Sequence, residues 1–487
     1  RIFLFLNMVL SVYDAIVVGA GSGGSHVASS LAARGWNVLL LEAGGVPDPR
    51  AGTHYWSRGR FQAPHHRLWW AWPIKTNLER PNSGYLGGKA LGGSSALNGM
   101  VHTLGHPDDF RSEWKSDLTE ALQSANEPRL RRALQLTVLP TALQDFVRAF
   151  LDAGLHWRAH DGFAAPGIGF VPRWASRRSS FSETLKNSTY TADHTGVVEV
   201  LQRAQAHRVL FEERRAVGVT GTFLDSNASF EFRARREVVL SAGVVGTPAL
   251  LQASGADRLC NNEIGNGLCE HFGFKSIVKL EAPCGALGNN LRDDGALAQA
   301  MISDDAVLLA FLGSERPSIE ILIKHFCCAQ NQICLLMTVT LLHGASRGAV
   351  RIGETGSPPS ITYNISEHDT ISLVQALYFL RREIVGAEVL KKWRPVMWPE
   401  GSFPALDDWP GNGRHILGGL QNYWHATGSM GAAVDARLRL RGCKGLRVAD
   451  ASAFPASVTG HPDVPTRVLG RIAASYAHAD ARLDDRS

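Results

Sequence analysis

The chain has 487 residues, of which 45% are hydrophobic and 20% are charged, and its formal net charge at pH 7 is +5. Such a composition is ordinary for a globular protein, and the length allows two or three domain-sized hydrophobic cores. A net charge this small, without long runs of like charge, argues against nucleic-acid binding.

The apolar stretch at residues 1–10 is too short to span a bilayer, so we expect no membrane association. No small-residue cleavage site of a secretory signal follows it before the first strand, and we therefore expect a cytoplasmic protein. The chain begins with Arg1 rather than with Met, which indicates a fragment or a processed end, and secretion stays an alternative.

The seven cysteines lie between residues 260 and 443. Their odd number and the absence of paired Cys-x-x-Cys spacing argue against a disulfide framework and against a zinc site. We therefore expect reduced, mostly buried thiols and no bound metal.

The first predicted unit of the chain is a strand, a glycine-rich turn, a helix and a second strand. Residues 14–18 are a short apolar strand, residues 26–34 have helical periodicity, and residues 37–41 are a second apolar strand. This order is typical of a βαβ unit in a parallel sheet.

The turn of this unit has the spacing of a dinucleotide-binding fingerprint. Gly19, Gly21 and Gly24 stand where glycines make the turn, admit a pyrophosphate and let helix and strand pack closely. The free N–H groups of the helix N-terminus would face the diphosphate. Glu42 stands where an acid holds a ribose hydroxyl. Its carboxylate argues against the 2′-phosphate of NADP but does not distinguish NAD from FAD.

A second glycine-rich run covers residues 87–98, with the sequence Gly-Gly-Lys-Ala-Leu-Gly-Gly-Ser-Ser-Ala-Leu-Asn. Glycine permits close approach of the backbone to a ligand, and successive N–H groups form nests for anionic oxygens. Two such motifs within the first hundred residues predict one long dinucleotide rather than two separate ligands.

The later elements alternate between strands and helices. We predict strands at 197–211, 216–219, 237–240, 349–352 and 446–448, and helices at 246–254, 369–384 and 463–481.

Five ordered motifs give the chain a resemblance to the glucose–methanol–choline (GMC) oxidoreductases over nearly its whole length. They are the Gly19 turn with Glu42, and residues 88–100, 241–255, 425–431 and 446–462. The resemblance implies an α/β fold, with a Rossmann-type FAD-binding domain and a substrate-binding domain built on an antiparallel sheet flanked by helices. It assigns residues 8–145, 196–272 and 421–487 to the FAD-binding domain, and residues 146–195 and 273–420 to the substrate-binding domain.

The resemblance also implies which residues hold FAD. Residues 89–98 would cover the diphosphate, Ala206 would contact adenine through its backbone, and Asp450 and Ala451 would approach the ribityl–pyrophosphate part. The full implied set is Gly19, Gly21, Ser22, Gly24, Glu42, Ala43, Lys89, Leu91, Gly93, Ser94, Asn98, Gly99, Met100, Val101, Ala206, Ala242, Trp424, Asp450, Ala451 and Pro462.

His425 and His461 fall at the two catalytic positions of the family. Alcohol oxidation needs a base for the hydroxyl proton, which a neutral imidazole suits, and an acceptor for the hydride, which FAD supplies. A second histidine can hydrogen-bond the developing alkoxide. The resemblance thus implies an FAD-dependent alcohol oxidase or dehydrogenase with a small-molecule alcohol as substrate and an electron acceptor that the sequence does not identify.

Three alternatives stay open. A hydroxynitrile lyase and a fatty acid photodecarboxylase share this fold. The third is a flavin-binding protein with impaired activity, which is suggested by shortened loops and by His102 and Leu104, since these replace a tyrosine and an arginine of the family pattern.

Overall fold

The computed structural model describes residues 12–46, 69–72, 74–77, 85–98, 101, 103–111, 141–158, 164–170, 196–283, 307–313, 316–328, 332–353, 358–398, 421–423, 426–428 and 432–485. No helix in these ranges has both the length and the apolar character needed to cross a membrane.

The strands in the described ranges are numbered in chain order. They are β1 (Val12–Val18), β2 (Asn37–Glu42), β3 (Trp69–Trp72), β4 (Ile74–Thr76), β5 (Tyr85–Gly88), β6 (Gly167–Phe170), β7 (Val197–Gln202), β8 (Ala204–Glu212), β9 (Arg215–Phe223), β10 (Ser229–Leu240), β11 (Asn266–Glu270), β12 (Gly273–Pro283), β13 (Val307–Gly313), β14 (Pro317–Cys328), β15 (Gln332–Leu341), β16 (Arg347–Arg351), β17 (Ser360–Asn364), β18 (Val396–Trp398), β19 (Gln421–Tyr423), β20 (Ala426–Gly428) and β21 (Leu446–Val448).

The α-helices in the same ranges are α1 (Ser22–Ala32), α2 (Pro107–Arg111), α3 (Thr141–Asp152), α4 (Gly243–Ala253), α5 (Ala256–Leu259), α6 (Glu367–Phe379) and α7 (Asp463–Asp484).

A seven-stranded sheet forms the Rossmann-type core, with the order β7-β2-β1-β10-β9-β8 and with β21 paired to β10. Strands β7, β2, β1, β10 and β21 run parallel, whereas β8 and β9 extend the sheet antiparallel. Ile16, Leu39 and Val239 are fully buried on the central strands, as expected for strands covered on both faces. The Rossmann-type prediction is confirmed.

Helix α1 begins at Ser22, four positions before the predicted start at His26. Its first turn consists of small residues, which carry no apolar periodicity, so the pattern detected only the later turns. The predicted strand at 197–211 is divided into β7 and β8 by Arg203, whose φ of 54° interrupts the extended backbone. This break separates the parallel part of the sheet from its antiparallel extension.

A second seven-stranded sheet has the order β18-β12-β15-β14-β13-β6, with β19 paired to β12, and all of its pairings are antiparallel. Helices α3 and α6 pack on it through a separate hydrophobic cluster that includes Phe146, Leu373 and Leu377. The prediction of an antiparallel sheet flanked by helices is confirmed, and the domain boundaries remain a prediction.

Cys260 and Cys443 form a disulfide with a Cα–Cα distance of 5.4 Å. The expectation of reduced thiols is therefore wrong for this pair and for Cys334, which is also disulfide-bonded, although Cys269 is free and buried as expected. The pairing escaped the sequence because the two cysteines are 183 positions apart and meet only through the fold. An odd total of cysteines argues against the pairing of all of them, but not against individual disulfide bonds.

Candidate functional site

The glycine-rich turn after β1 is closed by contacts that only glycine allows. Gly19 has a φ of +100°, and a Cβ atom built there would lie 2.3 Å from the carbonyl oxygen of Ser241. A Cβ at Gly24 would lie 1.9 Å from the carbonyl oxygen of Gly19, so α1 packs directly on the turn. The space that a pyrophosphate needs is thus bordered by backbone.

The two glycine-rich motifs touch each other. The N–H of Gly92 donates to the carbonyl oxygen of Ala20 at 2.8 Å. A Cβ built on Gly93, whose φ is +54°, would lie 2.9 Å from the Cα of Gly21. The second run therefore lies over the first turn, and the pair fits one extended dinucleotide.

Lys89 in the second run approaches the end of β2. Its amine lies 4.1 Å from the centre of the Trp70 ring, which is a cation–π contact. Burial lowers the pKa of Lys89, and Arg203 nearby lowers it further, whereas Glu42 raises it. The amine gives this half-buried cleft a positive group suited to a phosphate oxygen.

Glu42 ends β2 beside the glycine turn and is 6% exposed. Its Oε2 accepts from the N–H of Ala20 at 3.0 Å, and its Oε1 accepts from the N–H of Gly44 at 2.8 Å. Burial raises the pKa of the carboxyl to about 7, against the opposing effect of these hydrogen bonds and of Lys89. Each carboxylate oxygen can accept a further hydrogen bond, which suits a ribose hydroxyl.

Asp450 follows β21 and ties three segments together. Its Oδ2 accepts from the N–H of Gly243 at 2.9 Å and from the hydroxyl of Thr247 at 2.5 Å. Its Oδ1 accepts from the N–H and the hydroxyl of Ser452. Burial raises the pKa of Asp450, although these bonds oppose the shift. The side chain therefore positions the N-terminus of α4 and the turn that carries Ala451.

Ser22 connects the glycine turn to the last helix. Its hydroxyl donates to Asp463 in the first turn of α7, and Asp463 also accepts from Arg467 at 2.6 Å. His26 lies in the same helix as Ser22, and burial and the nearby Arg467 lower its pKa to about 3, so its ring is neutral near pH 7. The N-termini of α1 and α7 are thus held side by side.

His461 lies in the turn directly before α7. The backbone N–H of His461 donates to the hydroxyl oxygen of Thr103 at 2.7 Å, and that hydroxyl donates to the backbone carbonyl oxygen of His461 at 3.1 Å. Its ring atom Nε2 lies 3.1 Å from Oε1 of Glu320 on β14. The backbone of His461 is therefore held by the loop that carries Thr103, and its ring is held by the second sheet.

A buried polar network holds the residue that precedes this turn. Asp109 accepts from the N–H of Thr459 at 2.7 Å and from its hydroxyl at 2.8 Å, and it pairs with Arg316 at 2.7 Å. Burial and Arg316 lower the pKa of His343 to about 4. The neutral His343 ring thus accepts from Arg316 through Nδ1 and donates to Thr459 through Nε2.

Sequence reasoning did not identify Asp109, Glu320 or His343 as site residues. For Glu320 a signal was present, since it is the one carboxylate in the otherwise apolar start of β14, and a glutamate is rarely buried without a role. Asp109 and His343 lie near chain turns with no motif, so only the fold reveals them.

Most of the predicted cofactor residues gather at the carboxyl ends of β1, β2, β10 and β21, where open parallel sheets bind their ligands. Those described are Gly19, Gly21, Ser22, Gly24, Glu42, Ala43, Lys89, Leu91, Gly93, Ser94, Asn98, Ala242, Asp450, Ala451 and Pro462, whereas Val101 is buried in the loop before α2 and Ala206 lies in β8.

Gly99, Met100, Trp424 and His425 lie outside the described residues, as does His102. Among the residues that the structure does describe, no group of three or more histidine, cysteine, aspartate or glutamate side chains is arranged to hold a metal ion.

Comparison with known proteins identifies relatives of the whole chain. An ecdysone oxidase from Spodoptera littoralis is 27% identical, over 96% of this chain and 91% of the relative. An oxygen-dependent choline dehydrogenase from Cronobacter sakazakii is also 27% identical, over 94% of this chain and 93% of the relative.

Solved structures share the fold. A formate oxidase from Aspergillus oryzae RIB40 matches with a TM-score of 0.77 at 20% identity, covering 97% of this chain and 99% of that chain. Pyridoxine 4-oxidase from Mesorbium loti matches with a TM-score of 0.76 at 20% identity, covering 96% and 99%.

Two family models, both described as GMC oxidoreductase, match residues 13–273 and 344–470. Together they cover more than half of the chain. The chain therefore belongs to the GMC oxidoreductase family, and it is a flavoprotein whose cofactor is FAD.

Proposed function

We propose that this protein is an FAD-dependent oxidoreductase that oxidises a small-molecule alcohol, with His425 and His461 as its catalytic residues. The observation that carries the proposal is the placement of His461. Its backbone is held by Thr103 and its ring by Glu320 directly before α7, and α7 is joined to the glycine turn through Ser22. A reacting group bound by His461 would thus lie close to the cofactor cleft.

FAD, when bound, supplies the acceptor for the hydride from the carbinol carbon. The work of the chain is to position the alcohol and to handle its proton. We assign the acceptance of the hydroxyl proton to His425. We assign to His461 the hydrogen bond that stabilises the developing alkoxide.

We propose that the cofactor residues act in three groups. The glycine turn and the second glycine-rich run enclose the diphosphate. Glu42 accepts a hydrogen bond from a ribose hydroxyl, and Lys89 offsets the negative charge of the phosphates. The named activities of the relatives support an alcohol as substrate, since they include oxidation of ecdysone and dehydrogenation of choline.

The Cys260–Cys443 disulfide supports an oxidising location for the protein over the cytoplasm that the sequence favoured. Structural disulfides form and persist in oxidising compartments and are rare in the cytosol. We therefore propose the secreted alternative, which mass spectrometry of the protein from its native source would test through the intact disulfide-linked peptide pair.

The function is tested with purified yellow holoenzyme and a panel of short, long-chain, aromatic and sugar alcohols under anaerobic conditions. Bleaching of the flavin by an alcohol supports the proposal. Release of cyanide from an added cyanohydrin without bleaching would indicate a hydroxynitrile lyase, light-dependent release of CO2 from an added fatty acid would indicate a photodecarboxylase, and a yellow protein inert to all of these compounds would indicate impaired activity.

The base assignment is tested separately with His425→Ala. This variant should keep the flavin colour and lose most of the alcohol-driven reduction. Reduction within a few-fold of the parent would show that another group accepts the proton.

A further inference from the structure

The face of the second sheet that reaches His461 carries two polar residues opposite each other. Glu320 on β14 pairs directly with Thr340 on β15 in an antiparallel register. Residues opposite each other in such a pair project from the same face of the sheet. Because Glu320 contacts His461, the side chains of Glu320 and Thr340 lie on the face directed towards the turn that carries His461.

The other face of β14 has a different character. Ile319, Ile321 and Ile323 alternate with Glu320 and are buried in the hydrophobic cluster that α6 covers. The polar pair therefore does not serve the packing of this sheet on its helices.

Both residues are buried, with Glu320 4% and Thr340 2% exposed. Glu320 uses Oε1 for His461, but among the described residues neither its Oε2 nor Oγ1 of Thr340 has a hydrogen-bond partner. Buried polar atoms are nearly always hydrogen-bonded, and leaving them unpaired is costly. Two such atoms on one face, beside a catalytic residue, indicate a group that the ligand supplies.

We propose that Glu320 and Thr340 form a subsite for a second hydroxyl group of the substrate, an inference that rests on the proposed function. A hydroxyl can donate to Oε2 of Glu320 and accept from the hydroxyl of Thr340, which satisfies both atoms. An ammonium group only donates, so it would leave the Thr340 proton without an acceptor. The substrate class is therefore a diol or polyol whose second hydroxyl lies close to the carbinol that is oxidised.

The first experiment measures anaerobic flavin reduction by matched pairs of primary alcohols and diols of the same chain length. For the parent enzyme, the reduction rate divided by the apparent dissociation constant should be about tenfold higher for a short diol than for the matching mono-alcohol. Thr340→Val, which keeps the shape of the side chain, should reduce this preference to near unity. Thr338→Val, on the same face of β15, is the matched control and should leave it unchanged.

The second experiment measures binding without turnover, so that the subsite and the proposed function can fail separately. Pinacol and tert-butanol carry no hydrogen on the carbinol carbon, and their binding to the oxidised holoenzyme can be followed by calorimetry. Pinacol should bind about tenfold more tightly than tert-butanol to the parent, and equally weakly to Glu320→Gln and Thr340→Val.

The outcomes separate the two claims. Preferential binding of pinacol without flavin reduction by any alcohol would support the subsite and reject the proposed function. Flavin reduction with no preference for diols, or a preference that survives Thr340→Val, would overturn the subsite.

Discussion

Asp109 holds Thr459, 350 positions further along the chain, through two hydrogen bonds of 2.7 and 2.8 Å. Thr459 lies two residues before His461, so α2, which carries Asp109, sets the position of the turn that carries a proposed catalytic residue. The carboxylate of Asp109 is 1% exposed, whereas Asp108 beside it is 49% exposed. The two adjacent aspartates thus offer a matched comparison of a buried and a solvated carboxylate.

We predict that Asp109→Asn slows flavin reduction by alcohol about tenfold while FAD is retained. The amide cannot accept from Thr459 and Arg316 as the carboxylate does, which costs roughly 1–3 kcal/mol for the buried groups left unpaired. Rapid mixing gives the reduction rate, and thermal unfolding gives the stability. Asp108→Asn is the control and should match the parent in both. Equal reduction rates in Asp109→Asn and the parent would show that Asp109 does not position the turn.

Contact between the two glycine-rich motifs gives a second prediction. Gly93→Ala should abolish most FAD retention, since its Cβ would lie 2.9 Å from the Cα of Gly21. Gly154 also has a positive φ, but a Cβ there meets nothing within 4 Å, so Gly154→Ala carries the backbone strain without the clash. The flavin content of the purified variants, read from the visible spectrum, should be low for Gly93→Ala and near the parent for Gly154→Ala. Full flavin content in both would contradict the closed cradle.

The burial of Glu42 gives a third prediction, for the apoprotein. Its pKa of about 7 lies above the ordinary value of 4.5, so the folded state binds the proton more tightly than the unfolded state does. The stability that this proton contributes is complete below pH ~4.5 and is lost as the pH rises to about 7, with a limit of about 3 kcal/mol. Urea unfolding of the apoprotein at pH 5 and pH 7.5 should show this loss in the parent.

The control for Glu42 is Glu42→Gln, which has no titrating group at this position. Between pH 5 and pH 7.5 the unfolding free energy of the parent should fall relative to that of the variant. The variant should also retain less FAD at pH 7.5. A pH-independent difference would contradict the buried, titrating carboxyl.

The disulfide gives a fourth prediction. Cys443→Ser should destabilise the protein by about 2–5 kcal/mol, because Cys260–Cys443 closes a long loop in the unfolded chain. Thermal unfolding with and without reductant measures the effect, and the reductant should lower the stability of the parent more than that of the variant. Identical responses of the two proteins would show that the bond is absent in solution.

The cofactor cleft could be predicted from the sequence, since its determinants are local. Gly19, Gly24 and Glu42 follow one another within a single βαβ unit, and their spacing alone carries the physical requirement for a tight turn and an acid at the strand end. His461 was also predicted, through a motif that lies directly before a helix.

The surroundings of His461 could not be predicted in the same way. Glu320, which contacts its ring, lies 141 positions earlier in the chain. Asp109 bonds Thr459 in the neighbouring turn, and these two residues are 350 positions apart. Such contacts depend on how the two sheets meet, for which a single sequence offers no periodicity or spacing. The same reason applies to the Cys260–Cys443 pair.

The central claim is that a hydride leaves the carbinol carbon of an alcohol held beside His461. Its most direct test is anaerobic reduction of the flavin by an alcohol and by the same alcohol with deuterium on the carbinol carbon, compared by rapid mixing. We expect slower reduction by the deuterated alcohol, because the C–H bond breaks in this step. Equal reduction rates for each alcohol and its deuterated form at saturating substrate would contradict hydride transfer from the carbinol carbon. So would the absence of flavin reduction by any alcohol.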